Sequence, residues 1–256
     1  MPHFRQEKQR LMGVLREDGW KNVITAEIAK GDKTSLLRLI SPFVSFLNRP
    51  ELRWQAAFSL GKATARLALA DMEAARVVMR RLMWNMNEES GNLGWGIPEA
   101  MGCILAESSK LADEYARIFM TYIRDTDRED NFVEHPPLRA GAYWGVGRLS
   151  KAAPDKTLSA LPSLARALCM EDLYNRAMAA WALTSLAEAA APSSFALPYQ
   201  PQWEKAVEYL GKMEEIQSVM LEIMEEEEIF SRSARDVVDA AKQIITNRLQ
   251  EVAAKP

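Results

Sequence analysis

Residues that carry chemistry are scarce in this chain. Its 256 residues include two cysteines and two histidines. Cys103 and Cys169 stand far apart, each inside an apolar stretch, which excludes a disulfide framework and a metal-spaced cysteine cluster. Two buried free thiols are expected, and they fit a reducing cytoplasm. His3 and His135 bring no second ligand set, so neither a metal nor a cofactor is expected. No nucleophile elbow or phosphate loop occurs. No apolar run approaches the ~18 residues that cross a bilayer. The opening MPHFRQEKQR mixes charges of both signs and does not read as a signal sequence, so the chain is read as unexported, with no membrane insertion. A basic surplus is missing too. Thirty-two Lys and Arg against 35 Asp and Glu give a net charge of -3, which argues against a broad phosphate-neutralising surface and hence against nucleic acid as partner.

Period-two alternation is also absent, and no strands are expected. Repetition is what the chain has in quantity. RWQAAFSLG (53–61), GWGIPEAMG (94–102), RAGAYWGVG (139–147) and RAMAAWALT (176–184) align, three beginning with Arg and three ending with Gly. Their last residues, Gly61, Gly102, Gly147 and Thr184, lie 41, 45 and 37 residues apart. That straddles the ~40–47 residues of a two-helix HEAT-type unit and not the ~34 of a tetratricopeptide. Around the first segment, Leu52, Ala56, Ala57, Leu60, Ala63 and Leu67 form one apolar helical face, an inner helix. Second helical patterns at 35–47, 71–86, 111–123 and 156–169 complete the pairs. The recurrent glycines, costly in mid-helix, mark close helix approach. The fold expected is all-α, a right-handed α-solenoid of HEAT-like helix pairs.

Three parts follow. Residues 1–33 read as an N-terminal helical cap, 34–190 as the repeats, and 191–256 as a proline-containing linker (APSSFALPYQP) with a C-terminal cap, all one continuous structural unit. In the cap, MEEIQSVMLEIMEEEEIF and SARDVVDAAKQIITNRL read as two amphipathic helices. Glu225 to Glu228 would form a solvated face, with Glu228, Arg232 and Asp236 at i,i+4 spacing.

LRWQAAFSLGKA, LRAGAYWGVGRL and LYNRAMAAWALTSLAEAA resemble the inner helix of HEAT-like repeats of the phycobilisome-lyase type, over about residues 34–190. GNLGWGIPEAMG followed by GAYWGVGRL resembles an uncharacterised HEAT-repeat family of anaerobic sulfate-reducing bacteria. Neither resemblance implies a reaction, and nothing marks a bilin attachment site. Two enzyme classes are built on a scaffold of this kind. Deoxyhypusine hydroxylase holds its di-iron centre with His-Glu dipeptides, and this chain has none. HEAT-like alkylpurine DNA glycosylases present aromatics, a carboxylate and an arginine around a damaged nucleotide, and Trp95, Glu99, Arg139 and Trp181 are the residues here that resemble such a set.

The function expected is a non-catalytic protein-binding scaffold or adaptor in the cytoplasm, with the glycosylase or another nucleic-acid-processing enzyme as the alternative. Its binding residues would form a row at the starts of the inner helices, along the concave groove: Arg53, Trp54, Trp95, Glu99, His135, Arg139, Tyr143, Tyr174 and Arg176. A protein or peptide is the partner such a row suits. The competing reading makes the tryptophans core filling and pairs the arginines with acids of the neighbouring repeat. The stretch NEESGNLGWGIPEAMG is singular in holding Gly91, Gly94 and Gly96 together, more than a helix start requires. It is expected to approach another backbone or a ligand, with Trp95 lining the groove and Glu99 facing Arg139.

Overall fold

Helix starts in this chain are chemically marked. Asp32, Asp71 and Asp172 each accept the backbone N–H three residues on, from Ser35 at 2.8 Å, Ala74 at 2.9 Å and Asn175 at 3.0 Å. Prolines 98, 136, 154 and 162 sit in first turns, where a missing N–H has no intrahelical partner to lose. In the computed structural model of the protein, residues 2–86, 94–126, 131–213, 216, 219–225 and 228–254 are described.

The chain divides into two compact units, Met1–Ala112 and Asp113–Pro256. The first holds α1 (Pro2–Arg16), α2 (Trp20–Lys30), α3 (Lys33–Phe46), α4 (Arg53–Ala70), α5 (Met72–Met86) and α6 (Ile97–Glu107). Helix α4 packs on α6 and α2 as an inner row and is backed by α3 and α5. The boundary falls inside α7 (Ser109–Thr121). The second unit continues with α8 (Pro136–Ala152), the short α9 (Pro154–Thr157), α10 (Leu161–Met170), α11 (Leu173–Ala189), α12 (Gln200–Leu210) and α13 (Ala234–Ala253). Here α8, α11 and α13 form the inner row, with α10 against α11 and α12 against α13. The helix pairs expected from the repeats are therefore present in each unit, and the fold is an α-solenoid of HEAT/armadillo-like build.

An inner helix with an outer partner and an inner neighbour on both sides is buried on nearly every face, as α8 and α11 are. In α8 the buried residues run almost unbroken from Leu138 to Ser150. Polar groups in such a helix must be satisfied internally: Ser59 Oγ donates to the Gln55 carbonyl at 2.7 Å, and Ser150 Oγ to that of Val146 at 2.8 Å. The glycines act as their recurrence suggests. A Cβ on Gly61 would lie 2.7 Å from Cys103 Cβ, and one on Gly147 would lie 2.7 Å from Trp181 Cε3 and 3.0 Å from the Ala182 Cα. Cys103 is buried, whereas Cys169 is only half-buried on α10; neither is in a disulfide.

The C-terminal section departs from expectation. Within MEEIQSVMLEIMEEEEIF, Met220–Glu225 is not helical but a strand, β1, paired antiparallel with β2, Glu228–Ser233; residues 214, 215, 217, 218, 226 and 227 lie outside the described residues. Leu221 and Ile223 are buried while Met220 and Glu222, the residue before each, are exposed, an alternation short enough to be taken for one side of a helix. Tertiary hydrogen bonding settles the choice. Trp144 and Trp181 stack in parallel with ring centres 5.8 Å apart, and their indole N–H groups donate to the Met224 carbonyl at 3.2 Å and to Glu225 Oε1 at 2.6 Å. Glu225 is thus no solvated face residue. Arg232 pairs with it at 2.5 Å across the hairpin, and the Glu228–Arg232–Asp236 helical ladder does not form. Only α13 keeps the amphipathic helix expected there.

Because the Gly147 position faces both an indole ring and a backbone atom, Gly147→Ala should overpack the α8–α11 contact and cost roughly 1–3 kcal/mol. Urea denaturation followed by circular dichroism measures this, and an unchanged midpoint would show that the helices can separate without loss.

Candidate functional site

Every candidate residue except Tyr143, which lies in the middle of α8, opens or precedes an inner helix, and the two units divide them. In the first unit Arg53 is the first residue of α4 and Glu99 lies in the first turn of α6. Arg53 Nε is 3.7 Å from Glu99 Oε1, and its guanidinium lies over the Trp54 ring at 5.1 Å. Trp54 is 2% exposed and Glu99 4%, so both belong to the interior, while Trp95 is half-buried. The second oxygen of Glu99 has no hydrogen-bond partner among the described residues. Burial pushes the Glu99 carboxyl above its ordinary value, and the Arg53 charge opposes that shift.

Two of the three loop glycines have a physical reason. Gly96 adopts φ +70°, and a Cβ there would also lie 3.0 Å from both the Leu47 carbonyl and Arg53 Cγ. At Gly94 a Cβ would meet the Asn85 carbonyl at 3.1 Å. The close approach expected of this stretch is therefore to backbone and to Arg53. Gly91 lies outside the described residues.

In the second unit Arg139 is the hub. Its Nε and Nη2 grip the two oxygens of Glu171 at 2.7 and 2.6 Å, and Nη1 donates to the carbonyls of Val133 and Glu134 at 2.6 and 2.8 Å. Tyr143 OH donates to Glu171 Oε1 at 3.1 Å. Arg176 donates to the backbone carbonyls of Glu171 and Cys169 at 2.6 and 3.0 Å. Asn175 Nδ2 reaches the Pro136 carbonyl at 3.2 Å, joining the starts of α8 and α11. Burial, and after it the Glu171 charge, pushes the Tyr143 hydroxyl well above its ordinary value, so it acts as a donor and not as a base. His135 is the residue before α8 and is half-buried, as are Tyr174 and Arg176 at the start of α11.

Glu99 is matched by Arg53 and Arg139 by Glu171, each inside its own unit. Trp181 is likewise held by Trp144 and Glu225. The residue that sequence reasoning missed is Glu171. Its signal was the acid pair Glu171-Asp172 just before LYNRA, where Asp172 reads as a helix cap and Glu171 had no evident task.

A cleft of 300 Å³ opens beside this hub. Tyr143 and Glu171 line it together with Arg124, Phe132, Arg166 and Met170. Arg166 Nη2 pairs with Asp125 Oδ2 at 3.0 Å, and the Arg139 guanidinium covers the Phe132 ring at 4.9 Å. Met170 is largely exposed. Among the described residues, no three His, Cys, Asp or Glu side chains are placed to hold a metal ion, and no helix is long and apolar enough to cross a membrane.

No family model and no curated protein matches the chain. Among solved structures, the fold is similar to that of an engineered protein, 14% identical, with 94% of this chain and 98% of that one covered and a TM-score of 0.51. A designed armadillo repeat protein in complex with the peptide (KR)4 is 16% identical over 92% of this chain and 98% of that one, with a TM-score of 0.47. The HEAT-like repeats protein of the archaeon Thermococcus onnurineus NA1 is 14% identical over 94% of this chain and 98% of that one, with a TM-score of 0.33.

Two outcomes follow from the ion pairs. Glu171→Ala strands a buried guanidinium and releases the Tyr143 hydroxyl, so it should cost about 3–5 kcal/mol of unfolding free energy, measured in urea; a loss below that of an ordinary surface change would remove the hub role. For Glu99 the folded state holds its proton more tightly than the unfolded chain does. Its contribution is therefore complete below the ordinary value of 4.5 and is lost as pH rises through the higher folded value. The Tm of Glu99→Gln relative to wild type should accordingly improve as pH is raised from acid toward neutrality, and a pH-independent difference would contradict the raised carboxyl.

Proposed function

We propose that this protein is a non-catalytic repeat scaffold that docks a partner's peptide segment in the cleft beside Arg139 and Glu171. One observation carries the reading: the polar residues at the inner-helix starts are consumed in holding the scaffold, while the cleft they support offers Phe132, Arg124, Arg166 and an exposed Met170. Aromatic, arginine and methionine side chains over a rigid floor are what the cores of protein interfaces use. Arg139 and Tyr143 then act from below, as supports. In the second unit the half-buried His135, Tyr174 and Arg176 remain candidate binding residues, and in the first unit the half-buried Trp95, with Arg53, Trp54 and Glu99 as structural backing there. Cys103 and Cys169, which are not joined in a disulfide, fit the reducing, cytoplasmic setting proposed.

The glycosylase alternative gains no support. Of its four residues, Glu99, Arg139 and Trp181 are buried and already engaged by Arg53, by Glu171 and by Trp144 with Glu225. Affinity purification from the source cell with the wild type, Met170→Glu and Arg166→Glu, each shown to fold by circular dichroism, tests the scaffold reading. The partner recovered with wild type should bind either variant at least ~30-fold more weakly, the effect of losing one interface hot spot of ~2 kcal/mol. Variants that keep every partner would move the binding surface elsewhere.

A further inference from the structure

We infer that β2, Glu228–Ser233, is a pairing edge for a second copy of this chain. Among the described residues the sheet has two strands, and β1 is the covered one, with Leu221 and Ile223 fully buried. β2 is open along its length, and Ile229 and Phe230 are 42% and 37% exposed. An open edge offers a row of backbone donors and acceptors, and proteins usually blunt it with proline or lysine. β2 has neither.

The sequence of the strand selects the occupant. EIFSR, residues 228–232, is complementary to itself when two copies run antiparallel about Phe230. Phe230 then faces its own copy, Ile229 faces Ser231, and Glu228 faces Arg232, twice by symmetry. A two-fold axis through a residue pair is allowed whether that pair is hydrogen-bonded or not, so no shift in register is needed. Cross-strand aromatic and opposite-charge pairs are the contacts that stabilise antiparallel pairing. The two hairpins would become one four-stranded sheet, an isologous contact that closes and does not propagate. Arg232 already reaches Glu225 and lies 5.6 Å from the Phe230 ring, so it stands where a second carboxylate would join it. A single strand pair is small beside a permanent interface, so the association is concentration-dependent. The inference is independent of the cleft and goes beyond it.

Sedimentation velocity across a concentration series tests this, with the full-length wild type, Glu228→Arg, and the exchange Glu228→Arg with Arg232→Glu. Wild type should pass from monomer to dimer as concentration rises. Glu228→Arg, which sets arginine against arginine twice, should raise the dissociation constant about tenfold or more, and the exchange should restore it. Hydrogen exchange adds a readout that does not depend on the variants: amides of 228–233 should gain protection as wild-type concentration rises. A wild type that stays monomeric throughout overturns the pairing. So does a dimer indifferent to Glu228→Arg, or an exchange that fails to restore association.

Discussion

The separation between one inner helix and the next is the constraint on which the structure depends. At Gly61 and Gly147 the backbones approach until a single methyl group would collide with the neighbouring helix. That closeness favours small residues at the contact, and α4 and α11 are rich in alanine and mostly buried. A buried helix middle leaves few positions for a polar group. Most of the candidate polar residues accordingly sit at the helix starts, Arg53, Glu99, Arg139 and Arg176 among them.

Those four residues show what the ends of such helices need. The loop that enters a helix brings carbonyls that need donors, and a guanidinium with five donors can hold a loop carbonyl and a carboxylate together. Arg139 does so for the carbonyls of Val133 and Glu134 and for Glu171. The tie is worth little against an apolar replacement of both partners and a great deal against the loss of one. Such a network fixes where the loops lie more than it adds net stability.

The repeat is written in local periodicity, and the helix pairs, their order and the reason for Gly61 and Gly147 were therefore legible from the sequence. The hairpin was not. MLEIME satisfies a helical reading as well as a strand reading, and the choice rests on Trp144 and Trp181, far back in the chain, whose indole groups need acceptors there. The candidate residues were legible as a set of positions but not as pairs. Arg53 with Glu99 and Arg139 with Glu171 are neighbours across a repeat, and nothing in the spacing says which acid a given arginine takes. Glu171 escaped notice because an acid beside a capping aspartate looks like part of the cap.

The hairpin also sets the second unit apart in the order of its assembly. Helix pairs joined by short loops make contacts of small sequence separation, and chains dominated by such contacts fold fast. The bond from Trp144 to Met224 closes a loop of 80 residues. The entropy of closing that loop is spent before the contact returns anything, so the repeats can form while the two indoles still lack their acceptors. Met224 and Glu225, translated after the repeats, then supply them. On the ribosome, the stacked tryptophans of α8 and α11 are the exposed apolar surface of a nascent chain until the hairpin arrives.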